Sequence, residues 1–456
     1  MLKNKKVHFI AIGGSVMHNL AICLKLLDNQ VTGSDDMFFD PSKTNLQKHG
    51  LLPEKEGWNA DKVHSGLDYV ILGMHAKKDN PELLKARALG LKIYSFPEFI
   101  HEASKAKTRV VVAGSHGKTS ITSMVLHVLQ KTGRAFDYLV GAQLEGFETM
   151  VKLSDAPVMV IEGDEYTTSP LDLTPKFLHY KHHYACITGI AWDHYNVFPT
   201  LDIYEHQFAQ FIDLTPPEGK LFYAASDPRL VSLIDRAEIP QERLLAYDAL
   251  PATVRNNKTF VEWEGHEYGL QVFGQHNLQN LNAARCLLNE LGVSDEQFFT
   301  HIQSFKGASK RLELIGEGQN CSIYKDFAHA PSKLKATSEA VTRQFTKRQL
   351  TACLELHTFS SLNKAFIYQY KDCYNLPHEA LIFINPKAVE AKKLEMITEA
   401  ELREAFNRPD IRLFTEAPKL EEYLLNQNWN NRNLLLMSSG NFGGLDIETI
   451  KNRITG

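Results

Sequence analysis

The chain has 456 residues, more than one hydrophobic core usually organises, so two to four domains of roughly 150 residues are expected. Its composition is that of an ordinary soluble globular protein, and a net charge of -4 argues against nucleic-acid or membrane-surface partners. Six cysteines (Cys23, Cys186, Cys286, Cys321, Cys353, Cys373) lie apart with no C-x-x-C pair, which disfavours a disulfide framework and a zinc site and reads as reduced thiols.

The first apolar run, Val7–Ile12, is shorter than the roughly 7–15 residues of a signal-peptide core, so it reads as a strand. No run approaches the ~20 apolar residues of a membrane helix, and a cytoplasmic protein is expected. Up to Pro97, short apolar runs (VHFIAI, VTGSD, YVILGM, LKIYS) alternate with helical periods at Val16–Leu27 and Pro81–Leu89. That alternation predicts an α/β fold with a parallel, doubly wound sheet. The glycines of AIGGSVM, with Asp35 about 20 residues on, suggest a dinucleotide site. A G-x-G-x-x-G fingerprint, however, would need glycine at Ala11 and Val16. An NAD-dependent oxidoreductase is therefore a minority reading, and another nucleotide in the same crevice stays open.

The charged segment His101–Lys107 predicts a domain boundary near Lys105, followed by a strand at Arg109–Ala113. Alternation continues through VMVIEG, YACITGI and KLFYAA. TFVEWEGHEYGLQVF predicts a small antiparallel element, and Leu278–Leu291 a helix. After Lys306-Gly307-Ala308 the pattern restarts with RLELIG and CSIYKDFA, then strands at Ala380–Ile384 and Leu434–Met437, a further α/β domain.

The stretch RVVVAGSHGKTSIT resembles a phosphate loop, although the common G-x-x-x-x-G-K-[ST] form would require glycine at Val112. A strand leads through Gly114, Ser115, His116 and Gly117 into a helix at Lys118, Thr119 and Ser120. Backbone N–H groups and the positive helix end would then face an anion. Lys118 would hold terminal phosphates and the Thr119 hydroxyl a Mg²⁺ ion. The plain alternative is a glycine turn with a solvated lysine. Candidate carboxylates follow at the next strand end, Glu162, Asp164 and Glu165, and ITGIAWDHYNVF adds Asp193 and His194.

Together these pieces resemble the Mur ligase family, ATP-dependent ligases of bacterial cell-wall synthesis, over essentially the whole chain. The loop fits that family's shortened form, G-[TS]-x-G-K-[TS], which has no glycine at the position of Val112. GQHNLQNLNAA is similar to the family's G-x-H-N-x-x-N-x-x-A-A, and YKDFAHAPSKL to its [DE]-[YF]-[AG]-H-x-P. The resemblance implies ATP and Mg²⁺, with Asn277 on adenine, Arg311 on the phosphates, Asp326 on the ribose, and Thr119, Glu162 and His194 as metal ligands. It implies three domains: residues 1–105, Rossmann-like, holding UDP-N-acetylmuramate at Gly14, Ser15, Met17, Ser34 and Asp35; residues 106–308, the P-loop ATPase; and residues 309–456, α/β, taking an amino acid or small peptide. ATP is expected between the second and third of these. Lys118, Glu162, His194 and Arg311 would carry the chemistry. EGDEYTTSPLDLTPKFLHY and MSSGNFGGL resemble the members that take a peptide, while His357 stands where an arginine is usual.

Overall fold

Four short apolar runs open the chain as β1 (Lys6–Ile10), β2 (Gln30–Ser34), β3 (Tyr69–Leu72) and β4 (Ile93–Ser95). They form a wholly parallel sheet in the order β2-β1-β3-β4. Val7, Phe9, Ile10, Val70 and Ile71 are fully buried, as the near-continuous apolar runs of parallel sheets require. The structure is a computed structural model and describes residues 2–169, 171–192 and 197–456.

The central sheet has seven strands. They are β5 (Thr108–Ala113), β6 (Asp137–Leu139), β7 (Val151–Lys152) and β8 (Val158–Glu162), and, after a hairpin of β9 (Thr167–Ser169) and β10 (Asp172–Pro175), β11 (Tyr184–Ile187), β12 (Lys220–Ala224) and β13 (Leu244–Tyr247). Its order is β13-β12-β11-β5-β8-β6-β7, parallel except for β7. Register places Val112 opposite both Cys186 and Glu162, so the ends of β5, β8 and β11 finish level. Strand ends of this kind are where α/β sheets gather ligands.

The chain divides into two compact units: residues 2–192, 197–248 and 283–298, and residues 249–282 and 299–456. In the second, β14 (Ala252–Arg255), β15 (Lys258–Trp263) and β16 (His266–Leu270) make the expected antiparallel element. Strands β17 (Glu313–Glu317), β18 (Ser322–Asp326), β19 (Gln349–Glu355), β20 (Glu379–Phe383), β21 (Arg412–Phe414) and β22 (Arg432–Met437) pair in the order β17-β18-β22-β19-β20-β21. Only β17 runs antiparallel there. Among the described residues, no helix is long and apolar enough to cross a membrane.

The charged segment His101–Lys107 is more ordered than its composition suggests. Its first half closes the helix Phe96–Ser104, which begins with a capping box between Ser95 and Glu98 and buries Phe99 and Ile100. Lys107 is itself buried, 2.7 Å from the Asp137 carboxylate and bonded to the carbonyls of Ser154 and Ala156. A charge pattern shows neither, because the partners come from residues about 30 and 50 positions away.

Candidate active site

Val110 to Ala113 have no exposed surface, and the chain leaves β5 through two glycines with positive φ, Gly114 at 120° and Gly117 at 72°. A Cβ on Gly114 would lie 2.1 Å from Thr188 Oγ1 and 2.7 Å from its nitrogen, so only glycine permits this approach to β11. The loop is braced from the same side. Ser115 N donates to the Gly189 carbonyl at 3.0 Å and the Thr188 hydroxyl donates to the His116 carbonyl. Ser115 Oγ bonds the Tyr204 hydroxyl at 2.8 Å and accepts from Ala191 N at 2.9 Å. The helix Lys118–Lys131 then begins without a side-chain cap, which leaves its first amides for an anion.

Lys118 Nζ donates to the Gly114 carbonyl at 2.6 Å and pairs with the Glu165 carboxylate. Burial by itself would lower its pKa. The carboxylates of Glu165, Asp164 and Glu162 outweigh that and hold the ammonium above the ordinary lysine range. Thr119 Oγ1 donates to Glu162 Oε1 at 2.7 Å, and Gly141 N donates to Glu162 Oε2 at 2.8 Å. A hydroxyl and a carboxylate converging beside a lysine offer the hard oxygen donors that Mg²⁺ takes, so this pair fits the expected ion. Ser120 is buried in the helix's first turn. Asp193 and His194 lie outside the described residues.

The first glycine turn faces the same space. Gly14, Ser15 and Met17 line a cavity of about 370 Å³ together with Lys118, Glu162 and Lys176. Ser34 and Asp35, expected beside them, are buried instead. Asp35 accepts from Gly13 N at 2.7 Å and Asp36 N at 2.9 Å, and burial pushes its pKa up to about 6. Ser34 Oγ accepts from Lys62 Nζ at 3.2 Å. These two residues shape the turn rather than line the cavity.

In the second unit, Asn277 sits in the first turn of the helix Gln275–Glu290, buried, with its amide donating to the Phe273 carbonyl at 2.9 Å. Arg311 lies over the Phe327 ring at 4.6 Å. Asp326, at the end of β18, accepts from Leu312 N at 2.5 Å and Ala328 N at 2.6 Å. Burial raises its pKa against the opposing pull of Arg311, so the structure brings these two predicted residues together.

A strand, a two-glycine loop, a lysine and a Thr–Glu pair are generic nucleotide chemistry, and comparison with known proteins specifies them. The profile of the Mur ligase middle domain matches residues 112–288, and that of the Mur ligase family catalytic domain matches residues 6–108. A UDP-N-acetylmuramate–L-alanine ligase of Sulfurihydrogenibium is 30% identical over 83% of this chain and 82% of its own. The chain belongs to the Mur ligase family. The UDP-N-acetylmuramate–L-alanyl-γ-D-glutamyl-meso-2,6-diaminoheptandioate ligase of Haemophilus influenzae is 29% identical over 74% of this chain and 76% of its own. A murein peptide ligase structure from Psychrobacter arcticus superposes with a TM-score of 0.65 over 99% of both chains at 21% identity, a likeness of fold.

As a Mur ligase the chain is an ATP-dependent carbon–nitrogen ligase with three-domain α/β relatives. Two charged residues in and beside its cavity were legible only in part. Glu165 stands out in the sequence as one carboxylate among three, with nothing to show that it pairs with Lys118. Lys176 lies inside a quoted motif, with no signal that the turn after β10 carries it into the cavity.

Proposed function

We propose that this Mur ligase joins UDP-N-acetylmuramate to the tripeptide L-alanyl-γ-D-glutamyl-meso-diaminopimelate through an acyl phosphate. The observation that carries the reading is that Gly14, Ser15 and Met17 open on the same cavity as Lys118 and Glu162. A nucleotide sugar held by the first turn would thus direct its carboxylate at the phosphate loop. In this reading residues 1–105 bind the UDP-sugar, residues 106–308 the ATP phosphates, and residues 309–456 the amine component. Six free thiols suit the reducing cytoplasm as its location.

The muramate carboxylate attacks the γ-phosphorus of ATP and ADP departs; the peptide amine then displaces phosphate from the acyl group. Phosphorylation supplies the leaving group that a carboxylate lacks. Charge develops on the transferred phosphoryl, and catalysis is mostly positioning and electrostatics. Lys118 meets that charge from the loop, and the resemblance assigns Arg311 to the phosphates as well. The backbone of Gly114 to Ser120 cradles the phosphates, Asn277 reads adenine and Asp326 the ribose. Thr119 and Glu162, with His194 completing the set, would hold Mg²⁺, which supplies charge neutralisation when bound.

The peptide assignment draws on EGDEYTTSPLDLTPKFLHY and MSSGNFGGL and on the Haemophilus relative. A second reading, the L-alanine ligase, is favoured by the Sulfurihydrogenibium relative. An oxidoreductase is disfavoured, since the Asp35 carboxylate is already engaged by two backbone amides. Phosphate release from ATP with Mg²⁺ and UDP-N-acetylmuramate, compared between the tripeptide and free L-alanine with products identified by mass, decides the matter. Tripeptide-dependent product is expected; an alanine product alone would transfer the chain to the second reading.

A further inference from the structure

The cavity holds a second ammonium that the assignments above leave unused. Lys176 follows β10 directly, and its backbone N–H donates to the Tyr166 carbonyl at 2.9 Å. That bond carries the side chain over the Tyr166 ring, 6.0 Å from its centroid, into the wall that also contains Lys118, Glu162 and Tyr180. Its Nζ donates to Asp164 Oδ2 at 2.7 Å.

The other charges of this wall are committed differently. Lys118 is tied to the loop carbonyl of Gly114 and to Glu165, which is 2% exposed. Glu162 is fixed by Thr119 and by the Gly141 amide. The carboxylate of Asp164, by contrast, is 38% exposed, so its attraction for Lys176 is screened by water and yields to a better-placed anion. Lys176 is thus a cation on a solvated tether facing the space between the first glycine turn and the phosphate loop.

We infer that Lys176 receives the carboxylate of the nucleotide-sugar substrate and holds it towards the phosphate loop; this rests on the reading of the cavity given above. The first turn supplies backbone N–H groups for a diphosphate, and Lys118 is taken by the phosphates of ATP. The remaining negative charge on the nucleotide sugar, before transfer, is its attacking carboxylate. Lys176 contacts that group directly, while Asp164 positions the ammonium between turnovers and restrains it until the substrate arrives.

Calorimetric binding of two ligands separates this role from its alternatives. UDP-N-acetylmuramate carries both the diphosphate and the carboxylate, and UDP-N-acetylglucosamine only the diphosphate. Lys176→Met is expected to weaken binding of UDP-N-acetylmuramate by about 10- to 100-fold, the loss of one charge-assisted contact, and to leave UDP-N-acetylglucosamine and ADP unchanged. Equal weakening for both sugars would show that the lysine reads the diphosphate and would overturn the assignment, as would no change for either. Loss of ADP binding as well would mark a structural lysine. Asp164→Asn is an independent check, expected to tighten UDP-N-acetylmuramate several-fold; weaker binding would count against the tether. Failure of the unsubstituted chain to bind UDP-N-acetylmuramate would sink the functional reading itself.

Discussion

Replacing Lys118 by alanine removes an ammonium bonded to the Gly114 carbonyl of the loop, and it should do two separable things. The first is catalytic. Loss of a preorganised charge at a developing phosphoryl anion lowers turnover by about 10²–10³, or roughly 3–4 kcal/mol of transition-state stabilisation. The second is structural. Glu165 is 3% exposed in its side chain, and Lys118 is the cation paired with it, beside the Tyr204 hydroxyl at 3.5 Å. Leaving a buried carboxylate without its cation costs on the order of 3–5 kcal/mol, so Lys118→Ala should also melt at a lower temperature. The double variant Lys118→Ala/Glu165→Gln removes the stranded charge. It is expected to recover most of the melting temperature and none of the turnover. Both are read on the same preparations, by thermal melting and by phosphate release under saturating ATP, Mg²⁺, UDP-N-acetylmuramate and tripeptide. Turnover within about tenfold of the parent in the double variant would refute the placement of ATP at this loop.

Gly114→Ala should abolish nucleotide binding and lower stability by about 1–3 kcal/mol, because the added Cβ meets Thr188 in a backbone conformation that alanine adopts poorly; normal ADP affinity in a titration would contradict it. Glu162→Gln should raise the Mg²⁺ concentration for half-maximal turnover by at least an order of magnitude, and an unchanged Mg²⁺ curve would remove Glu162 from the metal set. His182 is buried against Phe211 and bonded to Thr215 at 3.0 Å, and burial lowers its pKa to about 3. Its folded pKa lies below the unfolded value near 6.5, so its contribution is fully present above pH 6.5 and is lost as pH falls towards 3. Denaturant unfolding should show His182→Gln losing less stability than the parent between pH 6.5 and 4; parallel profiles would contradict this.

Much of the architecture is written locally. Continuous apolar runs at Val110–Ala113 and Leu434–Met437 specify buried parallel strands whatever surrounds them, because a run with no polar side chain has no face to give to water. The phosphate loop is equally local. Two glycines, a lysine and a threonine between a strand and a helix form an anion site through their own backbone geometry. The family, its cofactor and most candidate residues follow from such stretches.

The pairings are a different matter. That Glu165 neutralises Lys118, that Asp35 accepts from the Gly13 amide, that Lys107 is a buried ion-pair partner of Asp137, and that Lys176 enters the cavity all depend on which segments the fold brings together. A charged side chain carries the same letter whether solvated, paired or aimed at a substrate. Its energy depends on the dielectric and partners around it, and those come from segments tens of residues away. The sequence by itself determined the elements, the loop and the class of chemistry. Only the tertiary structure decided which of several like charges stabilise the fold and which face the cavity.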